Sequence, residues 1–156
     1  MRESFGGAFM LKLAIIFIVI YISFMAVTIN YAKAFRVKNQ VINIVEQYQF
    51  TGRNDQETID KIDDYLKGVP YNFSGDNSLE EKCQEIAGPT KVESGDYTYT
   101  ANGACIIGNG ALGEFGNSSR YYKVVTFINI DFSFFNIKMN IPISGETKVI
   151  YINNQK

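Results

Sequence analysis

The stretch GGAFMLKLAIIFIVIYISFMAV, residues 6–27, decides how this chain is organised. It is almost wholly apolar, and residues 13–32 carry no formally charged side chain. A helix of that length rises roughly 30 Å, which is the thickness of the hydrocarbon core of a bilayer. The buried helix of a soluble protein is seldom apolar on all sides over such a length. The sequence therefore predicts a transmembrane helix over residues 13–32, preceded by a short leader or cytoplasmic segment, residues 1–12.

A cleavable export signal is the alternative interpretation, because Ala32-Lys33-Ala34 has the small-x-small pattern of a cleavage site. Export signals, however, have an apolar run of roughly 7–15 residues, and this run is longer. The pattern also continues as helix, since apolar residues recur at steps of mostly three and four from Phe35 to Tyr48. We therefore predict one helix of roughly 40 residues, lipid-embedded in its first half and amphipathic in its second.

Basic residues flank the apolar run on both sides. Lys12, Lys33 and Arg36 are expected to be membrane-interface anchors, whose alkyl stems lie along lipid while their charged ends reach water or phosphate. Two basic residues precede the run, Arg2 and Lys12, and three follow it shortly, of which Lys38 is the last. This excess of one weakly favours a cytoplasmic location for the C-terminal part. The cysteines favour the opposite side.

The chain has two cysteines, Cys83 and Cys105, and no histidine. Without histidine and without a C-x-x-C pair, a zinc site is not expected. A Cys83–Cys105 disulfide would close a loop and stabilise the folded state by about 3 kcal/mol. Two buried thiols are the alternative. Since disulfides persist outside the cytoplasm, we expect residues 33–156 to be extracytoplasmic and the protein to be a single-pass protein of the cell membrane.

Residues 33–156 are long enough for one domain with one core. Its first part is helical. Asn54 or Asp55 can cap a helix that ends at Lys67-Gly68. The sequence Ser78-Leu79-Glu80-Glu81 is typical of a capping box, and it predicts a short helix that carries Cys83 and ends near Gly88-Pro89.

From residue 96 onward the apolar pattern alternates. Residues 97–101 and 104–107 flank Asn102-Gly103, which predicts a hairpin with a type I′ turn. Further strands are predicted over residues 122–134, 137–143 and 147–152. The predicted fold class is α+β, with the long N-terminal helix packed on an antiparallel sheet that has one apolar face.

The glycine pair Gly6-Gly7 and the following Ala8-Phe9-Met10-Leu11 resemble a prepilin peptidase site. Together with the long bipartite helix and the small α+β domain, they make the chain similar to type IV pilins and their relatives. The resemblance implies processing between Gly7 and Ala8, a pilin-like fold, and packing of the helix against other pilin-like subunits.

Lys12 departs from the usual pilin pattern. Type IV pilins usually have glutamate at the fifth mature position, where its charge can meet the N-terminal amine of a neighbouring subunit. Lysine would repel that amine. The resemblance is therefore to a minor pilin or pseudopilin, such as those of the tight-adherence (TadE-like) group, and the implied function is structural, in a bacterial surface pilus or secretion assembly. The alternative is a signal-anchored extracytoplasmic binding or sensory domain that is not part of a pilus.

Other patterns predict no chemistry. Residues 108–113 match G-x-G-x-x-G but open no helix that could receive a phosphate. Two acidic groups, 60–64 and 76–81, are expected to be solvated rather than to bind a metal. Without histidine no serine or cysteine nucleophile has its usual base. We therefore expect no catalytic residue and no cofactor. We also expect no nucleic-acid partner, because the domain is slightly acidic. Membrane lipid is the expected partner. Glycosylation sequons begin at Asn72 and Asn117.

Overall fold

The structure is a computed structural model that describes residues 2–51, 55–69, 77–94, 96–100, 102–112, 118–132 and 137–152. Within these residues the chain forms helices and then strands, which confirms the predicted α+β class. In chain order the elements are α1 (Arg2–Gln47), α2 (Gln56–Gly68), α3 (Asn77–Ala87), α4 (Pro89–Ser94), β1 (Tyr97–Tyr99), β2 (Cys105–Leu112), β3 (Ser118–Phe132), β4 (Ile137–Glu146) and β5 (Ile150–Ile152).

Helix α1 is continuous over 46 residues, and its C-terminus is closed by a Schellman motif. The N–H of Phe50 donates to the carbonyl of Val45 at 3.0 Å, and the N–H of Gln49 donates to that of Glu46 at 3.3 Å. Gln49 has a φ of 50°, in the left-handed region. The helix therefore ends at Gln47, and the turn that follows it brings the Phe50 ring into the core.

The strands form one antiparallel sheet in the order β1-β2-β3-β4, and β5 pairs with the first residues of β3. The predicted β1–β2 hairpin is confirmed, with Tyr99 opposite Cys105. The predicted type I′ turn is wrong, because Gly103 has a positive φ of 93° and Asn102 does not. Asn102 instead donates from its backbone N–H and its Nδ2 to Asp63 Oδ1 of α2, at 3.2 and 3.0 Å.

The C-terminal half of α1 covers one face of the sheet, as the sequence predicted. Val37, Val41 and Val45 of α1 are fully buried against β2 and β3. The Phe50 ring packs edge-on to Tyr122 with ring centroids 5.0 Å apart. Helix α2 closes the end of this core with Ile62 and Leu66, and Asp55 caps it by accepting a hydrogen bond from the N–H of Thr58 at 3.1 Å.

The opposite face of the sheet is also buried at its centre, so the prediction of a single apolar face is incomplete. Helix α3 places Leu79 and Cys83 against Ile107, Val125 and Phe127, all of them buried. The reason is that β3 is apolar at consecutive positions, which suits a strand covered on both faces. Helix α4, which the sequence did not predict, begins at Pro89, a favoured first helical residue, and leads into β1.

Candidate membrane-spanning and helix-packing surface

The N-terminal half of α1 packs against almost nothing within the chain. Over Gly6–Gln47 the helix is long and apolar enough to cross a membrane, and none of its most apolar window is buried; it is the one such helix among the described residues. A core helix of a soluble protein would be mostly covered. Large apolar side chains are exposed on every side of it, including Phe9, Met10, Leu11, Ile15, Ile16, Phe17, Ile18, Ile20, Tyr21, Ile22, Phe24, Met25 and Ile29.

The environment of α1 changes at Ala34. From this residue onward a stripe of side chains at steps of three and four is buried in the domain: Ala34, Val37, Val41, Ile44 and Val45. The helix continues without a break through the change. As the sequence predicts, the helix thus has an exposed apolar first half and a second half with a buried stripe.

The three predicted interface anchors lie on α1 with exposed side chains. Lys12 lies near the beginning of the exposed apolar half, and Lys33 and Arg36 lie at its end. The rise from Lys12 to Lys33 is roughly 32 Å along the helix, close to the thickness of a hydrocarbon core. None of the three belongs to an ion pair among the described residues.

Lys38, the next basic residue, behaves differently. Its side chain is 8% exposed and its Nζ lies 4.3 Å from the centroid of the Phe35 ring. It packs against Gly145 of β4, where an added Cβ would come within 3.0 Å of both Lys38 Cδ and Nζ. Sequence reasoning grouped Lys38 with the flanking charges, but the structure makes it part of the contact between helix and sheet.

The predicted processing site lies within regular helix on an open surface. Gly7 and Ala8 are exposed, and a Cβ added at Gly6 or Gly7 would meet nothing within 4 Å. Packing within the chain therefore does not require either glycine. A role in recognition by another protein would account for a glycine pair that the fold itself does not need.

Cys83 of α3 and Cys105 of β2 form a disulfide with their Cα atoms 5.8 Å apart. The alternative of two free thiols is therefore excluded. The bond ties α3 to the face of the sheet opposite α1, and both cysteines are fully buried. It closes a loop that contains α4, β1 and the turn that leads into β2.

The acidic residues that were considered as metal ligands have other partners. Asp60 accepts from the Gln56 side chain, Asp63 accepts from Asn102, and Asp64 pairs with Lys67 at 3.4 Å. Within the described ranges no cluster of three or more residues of metal-ligating type occurs. Of the second group, residue 76 lies outside the described part, as do both sequon asparagines and Gly113.

A shallow cavity of about 110 Å³ lies between α3 and β1, lined by Glu80, Tyr97, Thr98 and Tyr99. Ligand pockets are typically about 300–1,000 Å³, so this one has room for a few waters only. Gly108 to Leu112, the described part of the glycine motif, lie inside strand β2 rather than in a phosphate-binding loop.

The Tyr122 hydroxyl is a buried polar group in the core. Burial raises the pKa of Tyr122, and the nearby Arg120 partly offsets this shift. Although Arg120 lies close by, no partner meets the geometry of a hydrogen bond with this hydroxyl within the part of the chain described. Burial also raises the pKa of Tyr65 on α2. Both groups are therefore protonated and neutral at physiological pH.

Comparison with protein-family models, with curated proteins and with solved structures finds no match for this chain. These comparisons identify no family, and the resemblance to pilins stays a prediction from the sequence.

Proposed function

We propose that this protein is a membrane-anchored, pilin-like structural subunit, of the minor pilin or pseudopilin kind, in a bacterial surface pilus or secretion assembly. The observation that carries the proposal is the continuity of α1. One unbroken helix has a bare apolar N-terminal half and a C-terminal half whose buried stripe builds the domain core.

Continuity favours a structural role for physical reasons. A binding domain on a membrane anchor needs no rigid connection, and flexible linkers commonly serve that purpose. In this chain the helix enters the core without a hinge, so a displacement of the anchor is passed directly to the sheet. An assembly that pushes or pulls its subunits through their N-terminal helices requires this property.

The exposed apolar half supplies the surface for packing. Burying one large apolar side chain contributes about 1.5–3 kcal/mol relative to water. Lipid can cover this surface, and so can the same half of α1 in other pilin-like subunits. The proposed location of residues 33–156 outside the cytoplasm rests on the Cys83–Cys105 disulfide, since such bonds persist in oxidising compartments.

N-terminal sequencing of the protein extracted from membranes tests the proposal. A processed pilin-like subunit begins at Ala8. A start at Met1 would indicate the alternative, a signal-anchored binding or sensory domain, and a start at Phe35 would indicate a secreted protein. Either of those starts would overturn the proposal.

Two glycine variants make the test sharper. Gly7→Val should block processing and leave Met1 in place, whereas Gly6→Ala should still be processed. Both positions have open space around a Cβ, so neither change disturbs packing within the chain.

A protease added to wall-stripped cells should digest the domain while cytoplasmic proteins stay intact. Protection of the domain would reverse the proposed orientation.

A further inference from the structure

The chain contains two Asn-Gly pairs, Asn102-Gly103 in the β1–β2 turn and Asn109-Gly110 in β2. Asparagine is a thermolabile residue. It is most open to attack when glycine follows, because glycine has no side chain that shields its backbone nitrogen. Each pair is therefore a position at which the chain can modify itself by deamidation.

Deamidation of such a pair is a cyclisation followed by hydrolysis. The glycine nitrogen loses its proton to hydroxide and attacks Cγ of the asparagine. As the new N–Cγ bond forms, the Cγ–Nδ2 bond breaks, and the side-chain amide takes up a proton and leaves as ammonia. Water then opens the cyclic succinimide at either carbonyl carbon, which leaves aspartate or isoaspartate. A neutral hydrogen-bond donor has become a carboxylate.

The leaving group of the first pair is bound by helix α2. Asn102 Nδ2 donates to Asp63 Oδ1 at 3.0 Å and to the Asp63 carbonyl at 3.5 Å. The backbone N–H of Asn102 donates to the same Oδ1 at 3.2 Å. A carboxylate only accepts hydrogen bonds, and bonds to it are stronger than those between neutral groups. The amide that must leave is therefore fixed to another element of the fold.

The attacking nitrogen is bound as well. The N–H of Gly103 donates to the carbonyl of Thr100 at 3.0 Å, and Gly103 is buried with a φ of 93°. Thr100 is itself buried, and its Oγ1 accepts from the N–H of Ala104 at 3.0 Å. Attack by Gly103 would break this turn. The Asp63 carboxylate disfavours the attack further, because negative charge would develop beside a like charge.

The second pair is protected by a different part of the fold. Asn109 lies opposite Tyr121 of β3, and Gly110 lies opposite Arg120. Ring closure requires a backbone rotation that the hydrogen bonds of this strand pair oppose. Loss of the contact with α2 should therefore expose the first pair to attack and leave the second pair protected.

We propose that Asn102 is a guarded modification site. The contact with Asp63 prevents its deamidation while α2 lies on the hairpin, and a chain in which this contact opens is converted at residue 102. The conversion prevents the contact from closing again, because a carboxylate then faces the Asp63 carboxylate where an amide donor had been. The site thus marks, irreversibly, domains that have opened. This inference rests on the fold of the domain and not on the proposed role in a pilus.

Peptide mass analysis of the full chain, kept oxidised in detergent micelles in mildly alkaline buffer, tests the proposal. It follows the conversion of Asn102 and Asn109 over time in the same molecules. The native chain is compared with Asp63→Ala, which removes the acceptor. Asp64→Ala is the matched control, since it removes the neighbouring carboxylate that pairs with Lys67. The chain reduced and unfolded in urea gives the rate of both pairs without the fold.

We expect Asp63→Ala to convert Asn102 roughly tenfold faster than the native chain, the ratio that corresponds to loss of a hydrogen bond to a charged group. Asp64→Ala should match the native chain, and Asn109 should stay slow in every folded sample. Equal rates at Asn102 in the native chain and Asp63→Ala would overturn the proposal. A native rate at Asn102 as fast as that in urea would also overturn it.

A second variant covers the case in which Asp63→Ala unfolds, which would show as faster conversion of both pairs. Asp63→Asn keeps an acceptor oxygen and loses only the charge. It should convert Asn102 faster than the native chain does and leave Asn109 unchanged. A native rate at Asn102 in this folded variant would then overturn the guard.

Thermal melting tests whether the modification prevents reclosure. Asn102→Asp places two carboxylates opposite each other and should lower the melting temperature of the oxidised chain. Combining it with Asp63→Asn exchanges amide and carboxylate, so a donor again faces an acceptor and the melting temperature should recover. If Asn102→Asp melts as the native chain does, the modification does not keep the domain open, and this part of the proposal is overturned.

Discussion

The two halves of α1 belong to one regular helix but have opposite surroundings. Phe17 in the first half is 65% exposed, whereas Val41 in the second half is fully buried. Their sequences differ in pattern more than in apolar content. The first half is apolar on all sides, so packing one side of it against a small domain would leave its other apolar sides exposed. The second half has a stripe, which one sheet can cover. The apolar pattern thus distinguishes the first half of α1, which needs lipid or another protein to cover it, from the second half, which the sheet of the same chain covers.

The largest expected effect is on the stability of the domain when a charge is placed in the packed half of α1. The same charge in the exposed half is the matched control. Ile44→Asp puts a carboxylate into the core between α1 and the sheet. An unpaired buried charge has no compensation there, so we expect the domain to lose at least about 4 kcal/mol of stability or to unfold. Ile22→Asp, the matched change in the exposed half, should leave the thermal melting of the domain unchanged in detergent micelles, as followed by near-ultraviolet circular dichroism.

The outcome that would break the comparison is equal melting of the two aspartate variants. If both unfolded the domain, the first half of α1 would be packed within the protein. If neither did, the buried stripe would not hold the helix to the sheet.

Membrane insertion, unlike the stability of the domain, should be sensitive to a charge in the first half of α1. Ile18→Lys places a charge near the middle of the apolar half and should disfavour insertion by roughly 3 kcal/mol on translocon-derived scales. Lys12→Glu should insert as well as the native chain, because either charge can reach the cytoplasmic headgroups. The measurement is the inserted fraction in a glycosylation-mapping assay with microsomes. A strong defect in Lys12→Glu would show that Lys12 is not an interface residue.

The disulfide should affect only the packed half and its domain. Opening the Cys83–Cys105 bond releases a loop with a sequence separation of 22 residues, which in the chain-entropy model costs about 3 kcal/mol of stability. Reduction should therefore lower the melting temperature and leave insertion of α1 unchanged. A Cys83→Ala, Cys105→Ala variant is the control, since its melting should not respond to reductant. Equal melting of the oxidised and reduced protein would contradict the role of the bond in holding α3 to the sheet.

Much of this fold could be predicted from the sequence, because the deciding signals are local. The run that is apolar on all sides and the apolar stripe that follows it predict α1. Asn102-Gly103 between alternating segments predicts the β1–β2 hairpin. Both features depend on periodicity or turn residues within a few positions of one another. The Cys83–Cys105 disulfide joins residues 22 positions apart, and the sequence left two buried thiols open as its alternative.

The features that were missed depend on contacts between distant residues. The sequence was interpreted as alternating along β3, yet Val125 and Phe127 are buried by α3. A signal was present, since the strand is apolar at consecutive positions and α3 has its own apolar stripe. The burial of Lys38 against Gly145 had no local signal, because lysine is usually exposed and the glycine lies on another element.

The smallest effect that we expect lies at the point where the packed half of α1 ends. Gln49 adopts a φ of 50°, a conformation that glycine adopts without steric cost and other residues do not. Gln49→Gly should therefore raise the free energy of unfolding by about 0.5–1 kcal/mol. Gln40→Gly, at an exposed position inside the same helix, should lower it by about 1 kcal/mol. Urea unfolding of both variants in micelles measures the two changes. Opposite signs would confirm that the Schellman motif ends α1, whereas destabilisation by both would mean that the Gln49 side chain contributes more than its backbone strain costs.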